Sequence, residues 1–362
     1  MNCYPKLVIY LDRVRENAAK IAEFCGAHGA EVLIVTKVTC ADSLITRALV
    51  EGARSANAGK AALADSRVLN LEKLKKDFPD VPRTLLRVPM KSELERAVLC
   101  ADCSLVSMAE SVYALEDACA RVGVNHGVIL MFDLGDRREG VYDSAELPAF
   151  VEAFKRSPRV KLRGVGSNFA CFAGVMPSAD ALNRLCRARC LLERETPYPV
   201  PIVSGGATSS LAMFELGSMP KGINQLRIGE GVYLGQDEVR SRTVPWLRHD
   251  ALSLEAEVIE VRVKPSLPEG EKGLNAFGET CEFRDEGLQK RVIFALGRQD
   301  VTINNLKPDD PDVQIIGGSS DHMIATVPLG RDVRWGDVFS FRLNYAALLP
   351  LMTSPYVFKE YR

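Results

Sequence analysis

The sequence has no apolar run close to the ~18 residues that a bilayer-crossing helix needs, which excludes a helical membrane protein. It also lacks an excess of either charge: 46 Lys and Arg stand against 47 Asp and Glu, a formal charge of -1. Nucleic acid and anionic membrane surfaces both demand surplus basic charge, so neither is the expected main partner. Histidine is scarce, and His28, His126, His249 and His322 show no ligand spacing among them. The one CxxC, Cys100 and Cys103, has no second pair to complete a four-thiolate zinc site, and no metal is expected. The other cysteines are scattered, although Cys186 and Cys190 stand one helical turn apart. The opening residues, Met1-Asn2-Cys3-Tyr4-Pro5-Lys6, lead into no signal-like apolar core. Reduced, mostly buried thiols in a cytoplasmic protein are therefore expected. There is no internal repeat and no low-complexity segment.

What is present is 362 residues, 47% hydrophobic and 26% charged, the balance of a globular enzyme with room for two domains. Up to about residue 235, short apolar runs alternate with amphipathic stretches. Strands are expected at 32–37, 54–58, 84–88, 104–107, 127–133, 161–167, 201–204 and 225–228. Helices are expected at 41–51, 91–100, 110–122 and 179–193. Eight strands with helices in most gaps fit a closed (β/α)8 barrel, with an open doubly wound sheet as the alternative. One further strand-like run, 7–11, precedes the eight; a helix begins near Asp12 behind it, and the run need not belong to the barrel.

Beyond Gly235 the texture changes to β-branched, alternating runs at 254–262, 291–296, 313–317, 323–327 and 338–343, with a helix only at 345–352. Turns rich in Pro, Gly and Asp separate them. The expected fold class is thus α/β: an N-terminal (β/α)8 barrel over 1–240, then a C-terminal all-β domain over 241–362, which residues 1–11 are free to join.

Lys37 ends the most apolar strand, Val32-Leu33-Ile34-Val35-Thr36-Lys37-Val38. Reactive groups of such barrels sit at the C-terminal ends of strands. A lysine walled there by apolar groups would be desolvated and able to form a Schiff base with an aldehyde. Taken alone, the plainer reading is a lysine that snorkels into solvent. Ser204-Gly205-Gly206-Ala207-Thr208-Ser209-Ser210 follows the seventh strand, and Arg227-Ile228-Gly229-Glu230-Gly231 closes the eighth. Each is a common glycine turn by itself. On consecutive final strands they suit a phosphate, which backbone N–H groups and hydroxyls would hold. The run Asp133-Leu134-Gly135-Asp136-Arg137-Arg138-Glu139-Gly140 offers guanidinium groups for a carboxylate, against a solvated charge run as the bland reading. Asn168 ends the sixth strand, where its amide would touch a bound ring. A lysine, a phosphate pocket and a carboxylate-binding arginine at one barrel mouth describe pyridoxal phosphate chemistry on an amino acid.

On these residues the chain resembles the alanine racemase superfamily of fold-type III pyridoxal phosphate enzymes, and within it the ornithine racemase-like branch. The resemblance spans nearly the whole length. Besides the motifs above it rests on Ala64-Asp65-Ser66-Arg67, Gly297-Arg298-Gln299-Asp300, Ser319-Ser320-Asp321-His322 and Ser354-Pro355-Tyr356-Val357. It implies that Lys37 holds pyridoxal 5'-phosphate and then acts as one acid/base. It implies that Arg227 donates to the pyridine nitrogen; an arginine does not give up its proton, so that nitrogen would stay unprotonated. Thr208 or Ser209, the N–H groups of Gly229 and Glu230, and Tyr356 resemble the phosphate contacts. Arg138 aligns with the arginine beside the phenolic oxygen and the substrate carboxylate, and Asn168 with a position often held by histidine.

One departure stands out. Racemisation needs an acid/base on each face of Cα. The family's second one is a tyrosine from the partner subunit's β domain, and the matching turn here is Ala276-Phe277-Gly278, whose phenylalanine carries no proton. His322 beside Asp321 is the best substitute by chemistry, with a structural histidine as the equal alternative; Tyr345 and Cys281 are weaker. The resemblance implies a head-to-tail homodimer with the site at the interface. The expected activity is interconversion of L and D forms of a small-molecule amino acid, ornithine or another basic one, or alanine. The rivals are a fold-type III decarboxylase and a non-catalytic pyridoxal phosphate-binding protein. Against the first, Ser204-Gly205-Gly206 has two glycines rather than three; against the second stands the added β domain.

Overall fold

The structure, a computed structural model, describes residues 3–362. The chain divides into two compact units, one formed by Leu11–His249 and the other by the segment ending at Tyr10 together with Asp250–Arg362.

In the first unit eight parallel strands close into a ring: β2 (Glu31–Val35), β3 (Ala62–Asp65), β4 (Arg83–Leu85), β5 (Cys103–Val106), β6 (His126–Phe132), β7 (Val160–Ser167), β8 (Ile202–Ser204) and β9 (Gln225–Ile228), β1 (Lys6–Ile9) lying in the other unit. The barrel expectation holds, and the open sheet is excluded. Closure is made by β2 against β9, with Leu33 opposite Arg227 and Ile34 opposite Ile228. Strands buried on both faces need nearly continuous apolar sequence, and β6 meets that with Val128, Ile129, Leu130 and Met131 all buried. Leu105, Ile129 and Met131 pack together as one core cluster. Filling such a layer is worth ~1.5–3 kcal/mol per side chain.

One expected strand is corrected. Residues 54–58 lie mostly in the helix Ser43–Ala56, and the third strand is Ala62–Asp65. The helix starts firmly, because the Asp42 carboxylate accepts the N–H groups of Leu44 and Ile45, each at 3.0 Å. It then runs on through Ala53, Arg54, Ser55 and Ala56, residues that tolerate a helix well.

A short hairpin, β10 (Gln236–Asp237) with β11 (Arg242–Thr243), follows the barrel strands. The second unit holds β12 (Leu252–Pro265), β13 (Leu288–Phe294), β14 (Leu306–Pro308), β15 (Gln314–Gly318), β16 (Met323–Val327), β17 (Val338–Leu343) and β18 (Phe358–Tyr361), ordered β14-β17-β12-β13-β16-β15. Its pairs are antiparallel except that β1, which also pairs β12, lies parallel to β18. The early strand-like run therefore belongs to the β unit. Phe294 meets Phe341 edge-on at 5.4 Å in its core.

Candidate active site

Lys37 opens the one-turn 3-10 helix Lys37–Thr39, two residues past the end of β2. Because Ile34 pairs Ile228, this turn stands at the same end of the barrel as Gly229 and Glu230, which follow β9. The platform beneath Lys37 is closely tied. The Thr36 hydroxyl donates to the buried Asp65 carboxylate at 2.7 Å, and Asp65 also accepts the Arg67 N–H and the Asn70 amide. Burial pushes the Asp65 carboxyl above its ordinary value, against the pull of these donors. Tyr233, fully buried, donates to the Val35 carbonyl at 2.9 Å. Of the two readings of Lys37, the structure has the solvent-facing one. The strand stops at Val35 and the chain turns at Thr36, so the lysine leaves the apolar line of β2 and is exposed.

Arg227 lies on β9 and is 4% exposed. It donates through Nη1 to the Ser204 hydroxyl, and through Nη2 to the Ser167 carbonyl at 2.7 Å and the Asn168 amide oxygen at 2.8 Å. All three acceptors are neutral. Burial therefore brings the guanidinium down to about 10, still fully charged at neutral pH. Asn168 in turn donates its amide nitrogen to Glu139 at 2.6 Å. Arg138 grips the same carboxylate with two bonds, from Nε and from Nη2. The two neighbouring arginines are thus separated: Arg138 faces Glu139, while Arg137 lies over the Tyr142 ring at 4.0 Å. Asp136, which spacing does not single out, fixes the adjacent loop. Its buried carboxylate accepts four backbone N–H bonds, from Cys171, Phe172, Ala173 and Val175.

The glycine turns after β8 and β9 form a cradle. Gly206 adopts φ +113, where only glycine is at ease, and a Cβ there would meet Ser210 Oγ at 2.4 Å. Thr208 and Ser209, in the 3-10 turn Thr208–Ser210, are each 4% exposed. The Gly231 N–H donates to Thr208 Oγ1 at 3.2 Å, which draws the two turns together and leaves the hydroxyl proton for another acceptor. A lysine, a non-titrating donor and a hydroxyl-and-amide cradle at one end of the barrel fit pyridoxal phosphate in donor chemistry.

Of the expected site residues, the barrel gathers Lys37, Arg138, Asn168, Thr208, Ser209, Arg227, Gly229 and Glu230 at one end. Tyr356, Asp321 and His322 lie in the β unit and are exposed. There the Asn275 carbonyl accepts the Gly278 N–H at 3.0 Å, forming the turn that carries Phe277. The Phe277 ring covers the Arg298 guanidinium at 4.3 Å, and Arg298 pairs with Glu279 at 2.7 Å. The backbone N–H groups of Arg298 and Gln299 donate to Ser319 and Ser320, the turn that ends in Asp321 and His322. Three loops distant in sequence are so bound into one cluster. A Cβ on Gly297 would strike the Ser320 carbonyl at 2.1 Å, which keeps that contact glycine-dependent.

Residues 9–237 match the family of the alanine racemase N-terminal domain. Over the whole chain the protein is 39% identical to a lysine racemase of Thermotoga maritima, covering 99% of this chain and 98% of the relative. It is 37% identical to an ornithine racemase of Acetoanaerobium sticklandii, covering 99% of each. Its fold superposes on an alanine racemase of Bartonella henselae, solved with covalently bound pyridoxal phosphate, with a TM-score of 0.74 at 14% identity and full coverage of both chains. The chain belongs to the alanine racemase family. Its activity is that of an amino-acid racemase, and pyridoxal 5'-phosphate is the cofactor of this family.

Proposed function

We propose that this racemase interconverts the L and D forms of a basic amino acid, lysine or ornithine, using the barrel mouth just described. The observation that carries the site is Arg227: a buried guanidinium held on three sides by neutral oxygens, on the strand paired with the one that leads to Lys37. The substrate class rests on the two relatives, whose names specify lysine and ornithine and of whose lengths this chain covers 98% and 99%.

When bound, the cofactor supplies an electron-withdrawing ring conjugated to the substrate's Cα. Lys37 holds it covalently and moves the Cα proton on one face. Arg227, which keeps its own proton, would hold the ring nitrogen as a pure donor and so favour proton return over other chemistry. Thr208, Ser209 and the N–H groups of Gly229 and Glu230 would hold the phosphate, and Tyr356 is a further phosphate contact. Arg138 receives the substrate carboxylate, and Asn168 orients the ring side. His322, beside Asp321, serves as the acid/base for the other face, since Phe277 has no proton to give. That unit is supplied by the partner in a head-to-tail homodimer, and the enzyme works in the cytoplasm.

Incubation with L-lysine and L-ornithine in D2O tests the reading. Deuterium at Cα and appearance of the D form, with no CO2 released, is the expected result. Borohydride trapping should leave the pyridoxyl group on Lys37. A tag on another residue, or CO2 release, would overturn the assignment.

A further inference from the structure

The barrel mouth carries a carboxylate that the reaction outlined above does not use. Glu139 Oε1 accepts from Asn168 at 2.6 Å and from Arg138 Nη2 at 2.8 Å, while its Oε2 accepts from Arg138 Nε. Asn168 presents its other end, the amide oxygen, to Arg227 at 2.8 Å. The four side chains form one line: Arg138, Glu139, Asn168, Arg227. We propose that Glu139 is a positioning residue that couples the two arginines, so that what binds Arg138 is felt at Arg227. The proposal rests on the reading that Arg227 faces the cofactor ring.

The physical argument begins with the amide. An asparagine side chain can rotate by half a turn, exchanging its donor and acceptor ends. A carboxylate only accepts, so Glu139 fixes the nitrogen toward itself and the oxygen toward the guanidinium. Without it, the NH2 group is free to face Arg227, setting donor against donor. Charge supplies the second part. Arg227 is buried among neutral acceptors, and an uncompensated buried cation is costly. Glu139 is the anion one amide away, and Arg138 shares it. A carboxylate ligand arriving at Arg138 competes for that guanidinium and frees more of the Glu139 charge for the Asn168–Arg227 arm. Binding at one arginine thereby strengthens the hold on the other.

The test uses the holoenzyme with two variants, Glu139→Gln and Glu139→Leu, and propionate as a carboxylate without an amine. In the wild type, propionate should shift the visible absorption band of the bound cofactor. Glu139→Leu should weaken cofactor binding by about tenfold, move the resting band and abolish the propionate response. Glu139→Gln keeps an oxygen for Asn168 but no charge; it should hold the cofactor within about threefold of wild type and still lose the propionate response. That split separates coupling from general loss of structure, and Glu139→Gln carries the test alone if the leucine variant does not fold. A propionate response unchanged in Glu139→Gln overturns the coupling while the site reading stands. A wild type that borohydride does not trap at Lys37 overturns both.

Discussion

The Thr36 hydroxyl donates to the buried Asp65 carboxylate at 2.7 Å, one residue before the lysine expected to hold the cofactor. Asp65 also secures Arg67 and Asn70, so a single carboxylate braces the ends of both β2 and β3. Asp65→Ala strands three donors and should cost about 2–4 kcal/mol in denaturant unfolding. Asp65→Asn keeps an acceptor for the backbone and should cost about half as much. Cofactor affinity should fall in the same order, measured by titrating apoprotein.

Asp136 should act locally. Its four N–H bonds all come from residues 171–175, a stretch that carries the exposed Phe172. Asp136→Ala should raise amide hydrogen exchange across 171–175 by about tenfold or more while core strands keep their protection. Uniform loss of protection would instead mark Asp136 as a global stabiliser.

His126 opens β6, fully enclosed, with its Nε2 at 2.8 Å from the Ser104 hydroxyl. Burial brings the imidazole down from 6.5 to about 4, with nearby Asp102 opposing. Between those values the unfolded chain binds a proton that the native state refuses. Stability from this group is therefore intact above pH 6.5 and lost as the pH falls toward 4, by about 3 kcal/mol in all. His126→Gln should flatten that part of the stability profile, read by urea unfolding at stepped pH.

Glu230 has the opposite sign. Burial first, and Asp237 and Glu238 after it, push its carboxyl from 4.5 up to about 7, although the Glu238 N–H bond works against them. Its contribution is present in full below pH 4.5 and disappears as the pH rises through 7. The group is partly solvated, so Glu230→Gln should gain about 1–2 kcal/mol at pH 8 and nothing at pH 4.5. Thermal melts at the two pH values check this, and the backbone N–H expected to hold phosphate is untouched.

The sequence made much of this legible because period and packing agreed. Strands 323–327 and 338–343 of the β unit are runs rich in β-branched and aromatic residues, and the structure has them at those bounds. Ala62–Asp65 escaped notice because Ala-Leu-Ala-Asp has no β-branched residue; it is a strand through pairing with Leu33, Ile34 and Val35, a non-local cause. Leu306–Pro308 is too short to show any period. The cradle was readable from glycines and hydroxyls at strand ends. Glu139 was not, since its bond to Asn168 spans 29 positions and no spacing rule links an acidic residue to an amide so far on. The exposure of Lys37 follows from where β2 stops, and it agrees with the plainer of the two readings of that lysine.

The seam between β2 and β9 has a temporal meaning as well. The strand that leads to Lys37 and the strand that carries Arg227 pair only because the first and last staves of the barrel meet, although the two residues stand nearly two hundred positions apart. A polypeptide leaving the ribosome holds one of them long before the other exists. Vitamin capture should therefore await ring closure, and once made it favours the closed form by mass action.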